Sequence, residues 1–256
     1  MTSTSGKHVA ELFGLPPRPR AGRERLVAVA VELFYRRGFG AVGIDLVIAT
    51  AGVTKTTFYK HFKGKDELML AAVQRRDEWE SLAWARAVRK IAGDDPAAQL
   101  HAMIDVLDLW FNDPDFHECM FLNTAIEFPN PHDPVHQAAA APKRKTRDSF
   151  RDLARAAGAD SKSAEGFADC YAALIEGALV MRQTHGRNDV ARAIRPAVEQ
   201  LLRTHLPESR HAPGLLGRGF AGSPQGGSGP PTSRPRSSTT PSSRSPTGPG
   251  RRRIPR

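Results

Sequence analysis

The chain has 256 residues, of which 40% are hydrophobic, and it carries a formal net charge of +10 at pH 7. A chain of this length and composition can form a hydrophobic core, which excludes a short peptide without one. Its positive charge favours an anionic partner such as nucleic acid. Residues 20–65 hold nine Lys and Arg against three acidic residues, and residues 207–256 hold nine Arg against one Glu. Residues 66–206 are mildly acidic, with 17 basic and 22 acidic residues, so the anionic partner is expected at only part of the molecule.

Features typical of secreted or membrane proteins are weak. Residues 1–20 contain no continuous apolar stretch, and the apolar run Tyr171–Met181 is too short to span a bilayer. Cys119 and Cys170 are more consistent with two buried thiols than with a single disulfide. These features predict a soluble, cytoplasmic protein.

The two ends of the chain are expected to lack fixed structure. Residues 1–19 are predicted to be a flexible arm, and an inert terminus is favoured over an arm that reaches DNA. In residues 207–256, 28 of the 50 residues are Pro, Gly or Ser, which predicts a disordered basic tail. Its Arg residues either add sequence-independent attraction to phosphate or are passive.

The first helix is predicted at about Arg20–Arg37, and Gly38 ends it. Phe39 should then enter the core of a small helical domain. The apolar residues of this helix recur at helical spacing: Leu26, Val27, Ala30, Val31, Leu33 and Phe34.

Residues 43–62 read as a helix-turn-helix. The first helix runs from about Ile44 to Thr50, and Gly52 ends it at a position that requires a positive φ. Thr54 is a good N-cap for a second helix over about Lys55–Phe62.

This second helix has two chemically different sides. Phe58 and Phe62 form its apolar side. The other side carries hydrogen-bond donors and no acid: Lys55, Thr56, Thr57, Tyr59, Lys60 and His61. Such a helix suits the major groove of DNA, and the alternative is a surface hairpin that is merely polar and basic.

A long helix is predicted from Lys65 to about Ile91, with Gly64 as its N-cap and Glu67 in a variant of the capping box. The remaining pattern shows no β-alternation and is helical throughout. Breaks rich in Pro, Gly, Asn and Asp separate helices at about Pro96–Phe111, Asp115–Phe128, Pro134–Gly158, Ser163–Gly186 and Asp189–His205.

The run from Gly22 to Met69 resembles the DNA-binding domain of the tetracycline-repressor (TetR/AcrR) family of bacterial transcriptional regulators. The resemblance covers about residues 20–80. It rests on the order and spacing of three blocks: LF-x-x-x-GF at Leu33–Phe39, AGVTKTTFYKHF at Ala51–Phe62 and KDEL at Lys65–Leu68.

The resemblance implies an all-α fold with a helix-turn-helix DNA-binding domain at residues 20–80 and a helical effector-binding and dimerisation domain at residues 81–206. It also implies a homodimer on a palindromic double-stranded DNA operator, with a small-molecule effector. Within this arrangement Thr54, Lys55 and Lys65 are expected to hold the DNA backbone. The recognition surface is expected to comprise Thr56, Thr57, Tyr59, Lys60 and His61.

Two further sets of residues follow from the same resemblance. Large aromatic, Met and polar side chains form the candidate effector pocket, although most of them could equally be ordinary core: Trp84, Met103, Leu107, Trp110, Phe111, Met120, Phe121, Asn123, Glu127, Phe128 and Tyr171. The last two helices are expected to form the dimer interface, although an intrachain core explains the same pattern: Phe167, Leu174, Ala178, Met181, Ile194, Val198 and Leu201.

Motifs for other functions are missing from the sequence. There is no glycine-rich phosphate loop, G-x-S-x-G, C-x-x-C or H-E-x-x-H, so no enzyme activity, cofactor or metal site is predicted. The favoured function is a ligand-relieved repressor. The alternatives are an activator, a protein that coats DNA without sequence preference and, least favoured, a helical enzyme.

Overall fold

The computed structural model describes residues 11–14, 16, 19 and 21–207, so the predicted tail lies outside it except for Pro207. No strand occurs in this described part, which confirms the all-α prediction. Residues 11–13 are helical, and nine longer helices follow between Gly22 and His205. They are α1 (Gly22–Arg37), α2 (Ile44–Ala51), α3 (Lys55–His61), α4 (Lys65–Ala92), α5 (Pro96–Phe111), α6 (Met120–Glu127), α7 (Pro134–Ala156), α8 (Ser161–His185) and α9 (Val190–His205).

The predicted boundaries agree within two residues except at α6, which begins at Met120 and not at Asp115. The Asp113 side chain accepts a hydrogen bond from the Asp115 N–H at 2.8 Å, and the Asp113 carbonyl accepts one from the Phe116 N–H at 3.0 Å. Glu118 has a φ of +68°, which a right-handed helix cannot include. Local turns therefore occupy the segment that was predicted as the first part of this helix.

Helices α1, α2 and α3 enclose a small core. Leu26, Phe34, Val47 and Phe58 are all buried in it. Phe39 follows α1, is buried as predicted and stacks on Phe34 with ring centroids 4.6 Å apart. The sequence turns at Gly38, where φ is +75°, so that Phe39 can fold back against the helix it has just left.

Helix α4 connects these helices to the rest of the molecule. Leu68, Ala72 and Val73 in its first half are buried in the same hydrophobic cluster as the cores of α1–α3 and of α5–α9. Leu82, in the middle of α4, is 66% exposed although it is apolar. The connection therefore depends on the first turns of α4, and its outer middle surface faces solvent.

Part of the predicted flexible arm is docked. Phe13 is buried in a second cluster with Ala83, Ala87 and other residues of α4 and α5. Its ring meets Trp84 edge to face at 5.2 Å, and its carbonyl accepts a hydrogen bond from Arg86 at 2.8 Å. The flexible arm predicted for residues 1–19 therefore does not include residues 11–14. An apolar side chain that finds an apolar groove overrides the general rule that termini are unanchored.

Helices α5 and α9 are joined by two ion pairs, of which Arg195–Asp105 is buried, whereas Arg192 of the other pair is 49% exposed. Arg195 Nη2 donates to Asp105 Oδ1, and Arg192 Nη1 donates to Asp108 Oδ2 at 2.9 Å. Burial raises the pKa of Asp108, and Arg192 beside it opposes that shift. These pairs tie the last described helix to the helical core.

The two cysteines differ in environment. Both are free thiols, but only Cys119 is buried, whereas Cys170 is exposed on α8. The prediction of two buried thiols is therefore wrong for Cys170, because that position points away from the core side of α8. Among the described residues, no helix is long and apolar enough to cross a membrane.

Candidate functional site

The turn between α2 and α3 has the geometry that the sequence predicts. Gly52 adopts a left-handed conformation, with φ +62° and ψ +40°, and the Val53 N–H donates to the Ile48 carbonyl at 3.3 Å. Thr54 then caps α3, because its hydroxyl accepts the Thr57 N–H at 3.1 Å. These bonds fix the direction of a helix of only seven residues.

Helix α3 presents one polar side to solvent. Phe58 on its inner side is buried, and Phe62 directly after it is buried as well. The exposed residues on its outer side are Lys55, Thr56, Tyr59 and Lys60, and Tyr59 is 52% exposed. No acidic residue lies in α3, so this side offers donors and positive charge only. An exposed helix of this chemistry beside a rigid core can approach an anionic surface without large rearrangement.

Two predicted contact residues lie at the edge of this face. Thr57 and His61 are half-buried, and a Cβ built on Gly22 at the start of α1 would lie 3.4 Å from Thr57 Cγ2 and 3.8 Å from His61 Nε2. The Thr57 hydroxyl also lies 2.9 Å from that of Thr54. Thr57 and His61 therefore share their environment with α1, and their DNA contacts stay predictions.

The lysines at the helix ends are held differently. Lys65 Nζ donates to the Phe39 carbonyl at 2.6 Å in a partly buried setting. Lys55 Nζ lies 3.4 Å from Asp45 Oδ1, and both side chains are largely exposed, so water screens this pair. Glu67 accepts the backbone N–H of Lys63 at 2.8 Å, one residue before the N-cap expected in a capping box. Lys65 thus braces the turn after α1.

A cavity of about 580 Å³ lies beside the end of α1. Three predicted pocket residues line it: Met120, Asn123 and Glu127. The other predicted pocket residues are not in its lining: Trp84, Met103, Leu107, Trp110, Phe111, Phe121, Phe128 and Tyr171. Leu107, Phe111, Phe121 and Tyr171 are buried core, and the Tyr171 hydroxyl donates to the Leu100 carbonyl at 2.6 Å. The large aromatic side chains that were predicted for the pocket therefore belong to the core more often than to the cavity lining.

Most of the lining was not predicted. It includes Phe34 to Phe39 at the end of α1, Phe116 to Glu118, and Arg182 and Gln183 of α8. One feature of the sequence could have indicated that the end of α1 lines a cavity, namely the adjacent cationic residues Arg36 and Arg37. The same two residues, however, also suit a helix C-terminus. Only the tertiary structure, which brings residues of α6 and α8 to the same cavity as the end of α1, reveals that they face a cavity.

The predicted dimer residues divide into two groups. Phe167, Ala178 and Val198 are buried within the chain, and their contact with a second subunit stays a prediction. They fill the α8–α9 core. The remaining four are partly exposed: Leu174, Met181, Ile194 and Leu201. No group of three or more His, Cys, Asp or Glu residues is arranged to hold a metal ion in the described ranges.

Comparison with known proteins gives two family matches. The family described as "Bacterial regulatory proteins, tetR family" matches residues 26–72. The family described as "Transcriptional regulator LmrA/YxaF-like, C-terminal domain" matches residues 96–196. The first match contains the helix-turn-helix, and the second contains α5–α8 together with part of α9.

Individual relatives support these matches over different lengths. The transcriptional activator FasR of Mycolicibacterium smegmatis is 44% identical over 61 residues, which span 24% of this chain and 27% of FasR. The transcriptional regulator LmrA of Bacillus subtilis is 24% identical over 164 residues, which span 63% of this chain and 86% of LmrA. The crystal structure of SCO4454, a TetR-family transcriptional regulator from Streptomyces coelicolor, is 30% identical with a TM-score of 0.64 and covers 72% of this chain and 95% of that one.

Proposed function

The chain belongs to the TetR family of bacterial transcriptional regulators, which are not enzymes, and from this premise we propose that it is a ligand-relieved repressor that binds a palindromic operator as a homodimer. The observation that carries the DNA-binding part is the outer side of α3. It is exposed, rich in donors and free of acids, and the buried Phe58 anchors it. We place the DNA-binding domain at residues 20–80 and the effector and dimerisation domain at residues 81–206.

For α3, the proposed recognition helix, and the residues next to it we propose two kinds of contact. Thr54, Lys55 and Lys65 hold the phosphate backbone, which positions the helix without reading sequence. The base edges are read from the exposed outer side of α3 and its border with α1, by Thr56, Thr57, Tyr59, Lys60 and His61.

The homodimer follows from the size of the site. One short recognition helix reads only a few base pairs, whereas a two-fold dimer places two such helices on one face of DNA. The middle of α8 supports such a contact, because its exposed residues Ala173, Gly177 and Val180 are small or apolar. Val180 is 42% exposed, and no atom lies within 4 Å of a Cβ built on Gly177. The residues that we assign to this contact are Leu174, Gly177, Val180, Met181, Ile194 and Leu201.

Relief by an effector requires differential binding. A ligand lowers DNA occupancy only if it binds the DNA-incompetent conformation more tightly than the competent one. Helix α4 is buried against both α1 and the effector helices through its first turns, so it can transmit such a change. An activator is the second candidate, because FasR, which matches part of this chain, bears that name.

Selection of bound sequences from a random DNA pool, at near-physiological salt, tests the proposed function. We expect the purified full chain to recover a palindrome with half-sites about one helical turn apart. Recovery of DNA without a preferred sequence would show a coating protein. Recovery of no DNA would contradict DNA binding altogether.

Replacement of Lys65 by alanine should weaken binding to all DNA sequences to a similar degree. If Lys65 contacts one phosphate, the slope of log affinity against log salt should fall by about one. Lys63→Ala is the matched control, since Lys63 is 92% exposed and belongs to neither proposed set of contacts. An unchanged slope in Lys65→Ala, or an equal fall in both variants, would contradict the phosphate role.

A further inference from the structure

The loop after α1 is held by a carboxylate from the effector helices. Glu127, at the end of α6, accepts hydrogen bonds from the backbone N–H of Gly40 at 2.7 Å and of Phe39 at 3.2 Å. Two successive backbone N–H groups that point at one carboxylate form an anion site of the kind found in backbone nests. The protein therefore already contains a place, at the edge of the cavity, that binds a carboxylate.

This carboxylate can be exchanged at low cost. Glu127 is exposed, so water can solvate its charge when it leaves the loop. The Phe39 and Gly40 N–H groups need a new acceptor, and an anion in the cavity would reach them from the same side, since Phe39 and Glu127 both line it.

Cationic side chains line the same cavity. Arg182 donates from Nε to the Phe111 carbonyl at 3.1 Å, and its guanidinium lies 4.5 Å from the centre of the Phe116 ring. Among the described residues, no acceptor takes the terminal nitrogens of Arg182. Arg36 Nη1 lies 3.3 Å from His117 Nε2, which brings a second guanidinium to the same segment. An anion in the cavity could pair with Arg182, whereas Arg36 already pairs with Glu32 and, at 3.8 Å, with Asp115.

The carboxylate of Glu118, which also lines the cavity, already accepts hydrogen bonds within the protein. Glu118 Oε2 accepts hydrogen bonds from the side-chain amides of Asn123 at 2.8 Å and Gln183 at 2.7 Å. Glu118 is also the one described non-glycine residue with a positive φ, a conformation that is strained for a residue with a side chain. This strained backbone conformation places the Glu118 carboxylate on the Asn123 and Gln183 amides. Its repulsion of a ligand anion is reduced there.

We propose that this cavity binds a small organic anion whose carboxylate displaces Glu127 from the N–H groups of Phe39 and Gly40. The aromatic rings of Phe34, Phe39 and Phe116 would cover the apolar body of the ligand. Displacement of Glu127 uncouples the loop between α1 and α2 from α6, while Lys65 continues to hold the Phe39 carbonyl of that loop. A change in this loop would reach the helix-turn-helix directly, because the loop leads into α2. That ligand binding regulates DNA binding rests on the proposed function.

Calorimetric titration of the full-length protein with benzoate, benzamide and benzylamine tests the anion site. These probes share one ring and differ in the charge of the substituent. We expect benzoate to bind at least about tenfold more tightly than benzamide, a difference typical of one charge-assisted interaction, and benzylamine not to bind. Equal affinities, tighter benzylamine binding or no binding of any probe would overturn the proposal.

Two variants assign the contacts. Arg182→Gln should lose about tenfold in benzoate affinity, whereas Arg187→Gln, which changes an exposed arginine paired with Asp189, should not. Glu127→Gln should bind benzoate more tightly than the native protein, because the competing group is now neutral. Because Glu127→Gln does not alter Arg182, it remains informative if Arg182→Gln is unstable. Native benzoate affinity in both variants would overturn the assignment.

The outcome is separable from that of the DNA selection, which is carried out without benzoate. A palindrome with no benzoate binding would overturn only the anion site. Benzoate binding with no selected DNA would retain the anion site and contradict the proposed function. If both hold, addition of benzoate should lower operator affinity in the native protein and less so in Arg182→Gln; no effect in the native protein would overturn the regulatory part.

Discussion

Replacement of Phe58 by alanine should lower the free energy of unfolding by about 3–5 kcal/mol, the usual cost of removing a buried phenyl ring. Phe58 is fully buried, and its ring lies 5.2 Å from that of Tyr59 and 5.7 Å from that of Phe62. The core of α1–α3 is small, so few neighbouring side chains can move into the cavity that the ring leaves. Chemical denaturation followed by circular dichroism measures the loss, and DNA affinity should fall with it because α3 loses its anchor.

Tyr59→Ala is the matched control for this prediction. Tyr59 is the adjacent aromatic residue, but it is 52% exposed, so its removal should cost no more than about 1 kcal/mol of stability. Under the proposed contacts it should nevertheless reduce DNA affinity. A similar stability loss in both variants would mean that α3 is not oriented as described, since burial alone distinguishes the two residues.

Replacement of Arg195 by alanine should destabilise the helical domain by about 3–5 kcal/mol, because it leaves a buried carboxylate without its main cation. Asp105, which accepts the Arg195 hydrogen bond, is 3% exposed. Water cannot replace the lost guanidinium without opening the contact between α5 and α9. Thermal or chemical unfolding at neutral pH measures the change.

Arg187→Ala provides the comparison for the buried pair. Arg187 bonds Asp189 at 3.0 Å, but both side chains are nearly half exposed. Screening by water limits its contribution to about 1 kcal/mol or less. If the two arginine variants were equally stable, the α5–α9 ion pair would be solvated in solution and its structural role would be refuted.

The structure of α3 could be predicted almost completely from the sequence, because its signals are local. Gly52 at the positive-φ turn, Thr54 at the N-cap and Phe58 on the inner side each act within a few residues of the chain. The segment before α6 could not, because acidic and aromatic residues there suit a helix as well as a turn. The strained φ of Glu118 becomes intelligible only when Asn123 and Gln183 are seen to hold its carboxylate.

By itself the sequence determined the helical class, the positions of the helices within a few residues, and the two sides of α3. Periodicity, caps and glycine conformations depend on neighbours along the chain, and these are explicit in the sequence. Only the tertiary structure decided which aromatic and Met residues were core, that Phe13 docks on α4, and that Glu127 reaches the loop after α1. Those contacts join residues up to 88 positions apart, and many different partners would satisfy the same apolar or charged side chain. Packing selects one of them because the buried area and hydrogen bonds of the whole fold must be satisfied together.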